Sequence, residues 1–371
     1  MPYIFQLILF NMSMCLFYQN VLCQSKMMKN FLPKENIIPK KHVSSLNLDI
    51  QAEEFRKSSK KVTKYESKGL PIVHHYKYVS ELPVGHRFAM KKFHGILRYL
   101  RQDNVISMKQ VVEPCPLDME KMSGVHTTDY LKKFFNGLTS DNEQRRTGFK
   151  WTPGLVERCQ YETGGTLLAA QIAHQKGLAC STGGGTHHAF PSYGSGFCLV
   201  NDLAIAASQL KEQKLAKKIL IVDLDVHQGD GTAFIFQNDL DVFTLSMHCQ
   251  NNFPLTKQKS DLDIELENFI EDLEYLAILK EHLPHVLNTF RPEFVFYDAG
   301  VDPHVNDELG YLNLSDQGLF DRDYYVLKLL ASHGIPCATV VGGGYSTNRE
   351  QLYIRHTIIH RAATKIWNEN L

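Results

Sequence analysis

The chain has 371 residues, with 40 Lys and Arg against 40 Asp and Glu, and 43% of its residues are hydrophobic. This composition is typical of a globular protein with enough apolar residues for a large core. A formal net charge of zero argues against a protein that binds nucleic acid with its whole surface, and no direct nucleic-acid partner is expected. The eight cysteines include no CxxC pair, which argues against a disulfide framework or a structural zinc knuckle.

The amino-terminal part differs in composition from the rest of the chain. Residues 1–23 carry no charged side chain, whereas residues 24–70 hold 11 Lys and Arg against 5 Asp and Glu. Polar residues interrupt the apolar opening and no positive segment precedes it, so the sequence predicts no firm membrane span. We expect residues 1–70 to be an extension, a targeting segment or a linker, and residues 71–371 to form one folded domain.

Periodic segments then alternate along the chain. Apolar residues at helical spacing predict six helices, over 86–102, 163–177, 201–213, 267–283, 315–334 and near 349–367. Short apolar runs predict four buried strands, over 218–225, 241–247, 293–300 and 336–344. Apolar strands that alternate with helices indicate βαβ units. The predicted fold class is α/β, a single domain with a mainly parallel central sheet flanked by helices on both faces.

Polar residues lie at or just beyond the carboxyl ends of three of the predicted strands. In open parallel sheets, ligands bind at the carboxyl ends of the strands, so residues far apart in sequence are expected to meet at one edge. The polar residues are Asp223, Asp225 and His227 at the end of the first strand, Asp298 and Asp302 at the end of the third, and the 342–345 turn at the end of the fourth.

The segment 221–232, IVDLDVHQGDGT, predicts a metal site. Side chains alternate along an extended chain, so Asp223, Asp225 and His227 are expected on one side. Buried carboxylates need a compensating cation, and a mixed Asp/His set suits zinc or another first-row ion. A catalytic site of this kind takes three protein ligands and keeps one position open. The alternative is a hydrogen-bonded network at the strand end without a metal.

A third ligand is expected from the segment 297–310, YDAGVDPHVNDELG. Gly300 and Pro303 turn the backbone sharply around Asp302, which favours that residue. The sequence itself leaves the choice open among four candidates, namely Asp298, Asp302, His304 and Asp307.

Two glycine-rich segments supply further candidates. His187 and His188 follow three glycines, and adjacent imidazoles beside a metal suit proton transfer around a metal-bound water better than ligation. The alternative is a pair of core or surface histidines. Phe197, in GSGFC, is a pocket wall or a core residue. Tyr345 follows VVGGG and offers a donor to a developing oxyanion; a phosphate-binding loop is the rival, but no Lys-Ser/Thr follows.

Several of these segments together resemble the zinc-dependent histone deacetylase family of the arginase/deacetylase fold. The motifs GGGTHHAF…GSGFCLVND, VDLDVHQGDGT, YDAGVDPHVNDELG and VVGGGYS occur in the family's order over 181–346. ELPVGHRFAMKKF (81–93) and VHTTDYLKKF (125–134) are similar to its class IV branch. Gln228, in place of the second histidine of class I members, also fits class IV. The resemblance implies that residues 71–371 are a deacetylase catalytic domain.

The resemblance implies a role for each matching residue. Asp225, His227 and Asp302 would bind one Zn²⁺. His187 and His188 would be the tandem histidines, with His188 as general base and acid. The remaining implied positions are Asp223 and Asp230 as carboxylate partners of the histidines, Tyr345 as the group that polarises the acyl carbonyl, Gly196 and Phe197 as substrate-binding residues, and Asp223, Asp225, His227 and Ser246 as a monovalent-cation site for K⁺.

The implied reaction is hydrolysis of N-ε-acyl-lysine amides in proteins such as histones. Separately, we expect an intracellular protein, in the nucleus or cytoplasm or in an organelle such as a mitochondrion or plastid, and the sequence leaves the choice among these open. One alternative is an acetylpolyamine or other small amide as substrate, and another is a non-catalytic adaptor. An arginase-like ureohydrolase is disfavoured because Gln228-Gly229 leaves no second bridging carboxylate. The segment 248–256 lacks the glycine-containing aromatic loop common in class I, so the acyl length stays open.

Overall fold

The computed structural model describes residue 65 and residues 67–371. The predicted extension lies almost wholly outside these described residues, and its boundary at residue 70 stays a prediction. Within the described part of the chain, no helix combines the length and apolarity needed to cross a membrane.

The described residues form one eight-stranded sheet in the order β2-β1-β3-β8-β7-β4-β5-β6. Every neighbouring pair is parallel, which confirms the predicted α/β class. All residues of β3, β4, β7 and β8 are buried, as in sheets covered on both faces. The strands are β1 (Ile72–Val73), β2 (Val111–Val112), β3 (Leu178–Ser181), β4 (Ile219–Asp223), β5 (Val242–Cys249), β6 (Leu262–Leu266), β7 (Phe294–Asp298) and β8 (Cys337–Val340).

Eleven α-helices occur among the described residues. They are α1 (Lys92–Gln102), α2 (Met119–Met122), α3 (Thr128–Phe135), α4 (Asp141–Thr147), α5 (Pro153–Lys176), α6 (Asp202–Glu212), α7 (Asp230–Phe236), α8 (Asp272–Phe290), α9 (Asp316–Ser332), α10 (Arg349–Arg355) and α11 (Ile358–Asn370).

Capping residues explain where the helices begin and end. The Thr152 side chain accepts a hydrogen bond from the Leu155 N–H, and Pro153 fits the first turn, so α5 starts ten residues before the predicted helix 163–177. Its predicted end is right, because Gly177 adopts a φ of 88° there. Ser315 caps α9 as predicted. The single helix predicted near 349–367 is two helices, α10 and α11.

The prediction that Asp223, Asp225 and His227 share one side of a strand is wrong in its geometry. Strand β4 ends at Asp223, so Asp225 and His227 lie in the following loop, where the period of two does not apply. The neighbouring strands are in register, with Asp223 paired to Asp298, and Asp298 to Val340. The carboxyl ends of β4, β7 and β8 therefore meet at one edge, as expected.

Candidate active site

Three buried side chains meet at this edge of the sheet. Ligand atoms of Asp225, His227 and Asp302 all lie within 4.8 Å of one another. His227 Nδ1 is 2.9 Å from Asp225 Oδ1 and 3.1 Å from Asp302 Oδ2. Of the four candidates for the third ligand, Asp302 is thus the one that joins Asp225 and His227.

Main-chain donors hold the two carboxylates in place. The Gly343 N–H donates to Asp225 Oδ2 over 2.7 Å, and the Val226 N–H donates to Asp302 Oδ1 over 2.8 Å. Gly343 lies so close above both carboxylates that a Cβ atom there would collide with Asp302. This turn therefore requires glycine for steric reasons.

The donor set of this cluster fits a divalent metal. Burial by itself would lower the pKa of His227, but hydrogen bonds to Asp225 and Asp302 outweigh it and raise the pKa to about 10. The two buried carboxylates therefore demand a positive charge at this point, which a proton on the imidazole or a metal ion supplies. Two carboxylates and one imidazole suit zinc, with Asp225, His227 and Asp302 as the residues that would hold it.

The tandem histidines lie beside this cluster, each hydrogen-bonded to its own carboxylate. His187 Nδ1 is 2.7 Å from Asp223 Oδ2, and His188 Nδ1 is 2.6 Å from Asp230 Oδ1. The two imidazole rings are 4.1 Å apart. Strand β4 supplies Asp223 at its end, and Asp230 opens α7.

The two histidines differ in their electrostatics. Burial would lower the pKa of His187, but Asp223, Asp225 and Asp298 raise it well above its usual range. Burial and the neighbouring His187 charge lower the pKa of His188 to about 4, and Asp230 offsets this only in part. His187 is accordingly the protonated ring and His188 the neutral one, so His188 is free to accept a proton.

The loop that carries the histidines is anchored by the start of α6. The Thr186 N–H donates to Asp202 Oδ1 over 2.7 Å, and the Gly185 N–H donates to the same carboxylate over 3.2 Å. The Asn201 amide donates to the His187 carbonyl oxygen over 3.3 Å. These contacts fix the direction in which both imidazoles leave the loop.

Gly196, Phe197 and Tyr345 complete the site. Gly196 has a φ of 52°, and a Cβ atom there would lie 2.5 Å from His188 Cδ2, so only glycine fits against the ring. The Phe197 ring lies 5.7 Å from the Tyr345 ring, which in turn lies 6.1 Å from His227. Phe197 lines both the mouth and the inner cavity of the site and is a pocket wall.

The other predicted candidates lie around the cluster rather than in it. Asp298 is fully buried, 3.9 Å from His187 Nδ1, and neither of its oxygens has a hydrogen-bond partner among the described residues. His304 Nε2 instead lies 3.3 Å from Asp316 Oδ1. Ser246 pairs in register with Asp223, and its hydroxyl is hydrogen-bonded to His248. The K⁺ site stays a prediction.

The sequence pattern gave no role to Lys92 and a different role to Asp307. Asp307 was considered only as a ligand, but its carboxylate accepts hydrogen bonds from the Tyr345, Leu309 and Gly310 N–H groups and so joins two loops. Lys92 is buried, and its ammonium donates to the Gly342 carbonyl oxygen over 2.7 Å. No sequence signal distinguishes Lys92 from the solvent-facing lysines common on amphipathic helices.

Residues 86–359, well over half of the chain, match the histone deacetylase domain. The chain belongs to the histone deacetylase family. It is a hydrolase of this family, as the sequence motifs predicted. Its assignment to class IV stays a prediction.

Proteins of several organisms are similar in sequence to this chain. An uncharacterized protein of Picosynechococcus sp. is 50% identical over 299 residues, which cover 81% of this chain and 100% of the relative. The acetoin utilization protein AcuC of Staphylococcus aureus is 30% identical, and the matched residues cover 70% of this chain and 72% of the relative. Histone deacetylase 2 of Arabidopsis thaliana is 29% identical and covers 70% of each chain.

A solved structure supports the same fold. The crystal structure of a histone deacetylase homolog complexed with SAHA superposes with a TM-score of 0.70 at 24% sequence identity, covering 82% of this chain and 85% of that one. At this level of identity the comparison supports the fold, and the chemistry rests on the residues of the site.

Proposed function

We propose that this histone deacetylase family member is a zinc-dependent hydrolase of N-ε-acyl-lysine amides in proteins. The observation that carries the proposal is that the candidate metal ligands and the His188–Asp230 pair are neighbours. The buried Asp225, His227 and Asp302 cluster fits a divalent ion, and His188, a neutral histidine hydrogen-bonded to a carboxylate, lies next to it, with its ring centroid 5.9 Å from that of His227. Metal-assisted amide hydrolysis needs both groups within reach of one water molecule.

In this proposal His188 is the general base and acid. Zinc, when bound, lowers the pKa of a water molecule and polarises the acyl carbonyl. His188 Nδ1 donates to Asp230, which leaves Nε2 to accept the proton of the attacking water. The same nitrogen then returns the proton to the departing lysine amine. The protonated His187 adds positive charge beside the developing oxyanion.

Tyr345 serves as the second oxyanion donor. Burial and the nearby Asp302 and Asp225 carboxylates raise the pKa of its phenol well above the usual range, so the hydroxyl keeps its proton. A donor of this kind supplies roughly 3–4 kcal/mol in other enzymes. Asp307 and the neighbouring aromatic ring of Phe197 hold the Tyr345 segment in position.

The mouth of the site favours a peptide-borne acyl-lysine over an acetylpolyamine. None of the described residues that line the mouth is an Asp or Glu, and the lining is largely apolar. A polyamine would bring one or more ammonium groups into this mouth without a counter-charge. The lining includes Arg87, Phe197, Phe253, Leu255, Leu309 and Tyr311.

The proposed reaction indicates the partners, and the cysteines indicate the compartment. The substrates would be acyl-lysine proteins, with histones as one candidate, since a relative is named histone deacetylase 2. The six cysteines in the described part of the chain are free thiols, which supports a reducing compartment such as the nucleus, cytoplasm or an organelle interior.

The proposal is tested with a panel of acyl-lysine peptides, from acetyl through myristoyl, together with acetylspermidine and metal analysis of the same preparation. We expect peptide hydrolysis by the wild-type protein. His188→Ala should abolish it while zinc stays bound, whereas His285→Ala, at an exposed helix position, should have no effect. Full turnover by His188→Ala would contradict the assigned base, and activity on acetylspermidine alone would contradict the substrate class.

A further inference from the structure

An inner cavity continues the site beyond the metal-binding cluster, and its far wall is charged. The cavity is bounded by the glycine turns at 184–185 and 342–343 and by the Phe88 and Phe93 rings. Three ionisable side chains complete the wall, namely Lys92, Arg158 and Glu162. A fatty acyl chain would desolvate these groups, so the wall is unsuited to a long apolar acyl group.

Lys92 presents an ammonium group to this cavity with spare donors. The residue is 1% exposed, and its Nζ donates to the Gly342 carbonyl oxygen over 2.7 Å. An ammonium has three N–H donors, and this carbonyl is the one hydrogen-bond acceptor that the described residues supply. Phe88 and Phe93 lie beside it, with their ring centroids 5.4 and 5.5 Å from Nζ.

The carboxylates near Lys92 already have other partners. Glu162 pairs with Arg158 over 2.7 Å and also accepts the Gly184 N–H. Asp225 and Asp302 bind main-chain N–H groups and His227, and their charge is directed to the metal position. Burial lowers the pKa of Lys92 to about 8, and Asp302 and Asp225 oppose this shift, so the side chain is still largely an ammonium near pH 7. Its hydrogen-bond partner among the described residues is a neutral carbonyl oxygen, so no carboxylate is hydrogen-bonded to this ammonium.

We propose that Lys92 selects acyl groups that end in a carboxylate, with malonyl-lysine as the shortest example. The inference rests on the proposed function, because it concerns the acyl group of that same hydrolysis. The acyl carbonyl would lie at Tyr345 and the metal position, and the terminal carboxylate would accept the free N–H groups of Lys92. A hydrogen bond between charged groups is the strong kind, and burial makes it stronger.

The reaction needs no reactant besides water. The bond between the acyl carbon and the lysine nitrogen breaks, and the water oxygen bonds to the acyl carbon. One proton of the water passes to the lysine amine through His188. The other proton of the water stays with the new carboxyl group, which releases it to the solvent. The products are free lysine in the peptide and malonate, with no oxidation or reduction.

The test compares two acyl groups of similar size on one peptide. Malonyl and isovaleryl have the same number of non-hydrogen atoms, and they differ in ending with a carboxylate or an isopropyl group. We expect Lys92→Met to lower the ratio of kcat/KM for malonyl over isovaleryl about tenfold to a hundredfold. Lys91→Met, the change at the exposed neighbouring lysine, should leave the ratio unchanged.

Binding gives a second measurement that does not depend on turnover. The increase in Tm on adding malonate, less the increase on adding isovalerate, should be large for the wild-type and Lys91→Met proteins. It should shrink in Lys92→Met, and Lys92→Arg should restore part of it. Chelation of the metal by malonate affects all four proteins alike and so drops out of the comparison.

The outcomes separate this inference from the proposed function. Hydrolysis of acetyl and isovaleryl peptides with no Lys92-dependent preference for malonyl would overturn the inference and leave the function in place. Failure to hydrolyse any acyl-lysine peptide would overturn the proposed function itself.

Discussion

Two buried groups at the edge of the sheet contain the same types of side chain and differ in geometry. Each has one imidazole and two carboxylates, His227 with Asp225 and Asp302, and His187 with Asp223 and Asp298. In the first group Nδ1 lies 2.9 and 3.1 Å from the two carboxylates, so all three side chains converge.

In the second group the convergence is incomplete. His187 Nδ1 is 2.7 Å from Asp223 but 3.9 Å from Asp298. One strong hydrogen bond there orients the ring and holds its proton. The same residue types therefore form a metal site where all three side chains converge on one point, and a proton-holding pair where only two of them do.

The largest effect is expected from the metal-binding group. Asp302→Asn removes one negative ligand while keeping the shape of the side chain, and metal-assisted catalysis supplies several kcal/mol. Turnover of acyl-lysine peptides should fall about a thousandfold or more, since each 1.36 kcal/mol is a factor of ten. Steady-state assays measure this, and a loss of less than tenfold would show that Asp302 is dispensable.

Tyr345→Phe should reduce turnover by about a hundredfold to a thousandfold, because it removes one oxyanion donor. The phenol adjoins the metal-binding group without belonging to it, so the metal content should not change. A variant that loses metal together with activity would place Tyr345 in the wrong role.

Asp223→Asn should have a smaller effect on turnover, about tenfold to a hundredfold, as for carboxylates that orient histidines in other metal sites. The amide still bonds to His187 but no longer stabilises its positive charge. The pH profile of kcat should shift as well, and this shift distinguishes a tuning role from simple misfolding. An unchanged turnover rate and an unchanged pH profile would show that Asp223 does not tune His187.

Asp298→Asn is expected to have the smallest effect on turnover and to raise stability. Burial and the charge of Asp223 raise the pKa of Asp298 well above the usual range. Above about pH 4 the unfolded chain releases this proton while the folded chain retains it, so this residue lowers stability increasingly as the pH rises. The variant should gain about 1–3 kcal/mol in the free energy of unfolding near pH 7.

Denaturation measured at several pH values tests this sign. The stability difference between Asp298→Asn and the wild type should widen from pH 4 to pH 8. A difference that narrows over that range would mean that Asp298 is ionised and paired in the folded protein.

Sequence periodicity predicted the main sheet and its ligand-binding edge because buried parallel strands are apolar throughout. The outer strands escaped it. β1 and β2 have two residues each, too few to show a pattern, and β6 is only partly buried. Helix α5 began earlier than predicted because its cap at Thr152 lies well before the most apolar stretch.

The residues of the site and their division into metal ligands and histidine partners were predicted from the family resemblance, whereas the sequence pattern by itself did not fix which side chains converge. Asp298 and Asp302 both follow β7, and the residue pattern left the choice between them open, although the family resemblance implied Asp302. The choice depends on the turn at Gly300 and on the Val226 N–H that holds Asp302. Lys92 was missed because its burial results from packing between distant segments, which no local pattern encodes.

Of the two groups, we expect Asp225, His227 and Asp302 to bind a metal ion, and His187, Asp223 and Asp298 to bind none. Metal analysis of the purified wild-type protein, Asp302→Asn and Asp298→Asn distinguishes them. We expect about one zinc per chain in the wild type and in Asp298→Asn, and a large loss in Asp302→Asn. Retention of zinc by Asp302→Asn together with its loss from Asp298→Asn would mean that the metal is assigned to the wrong group.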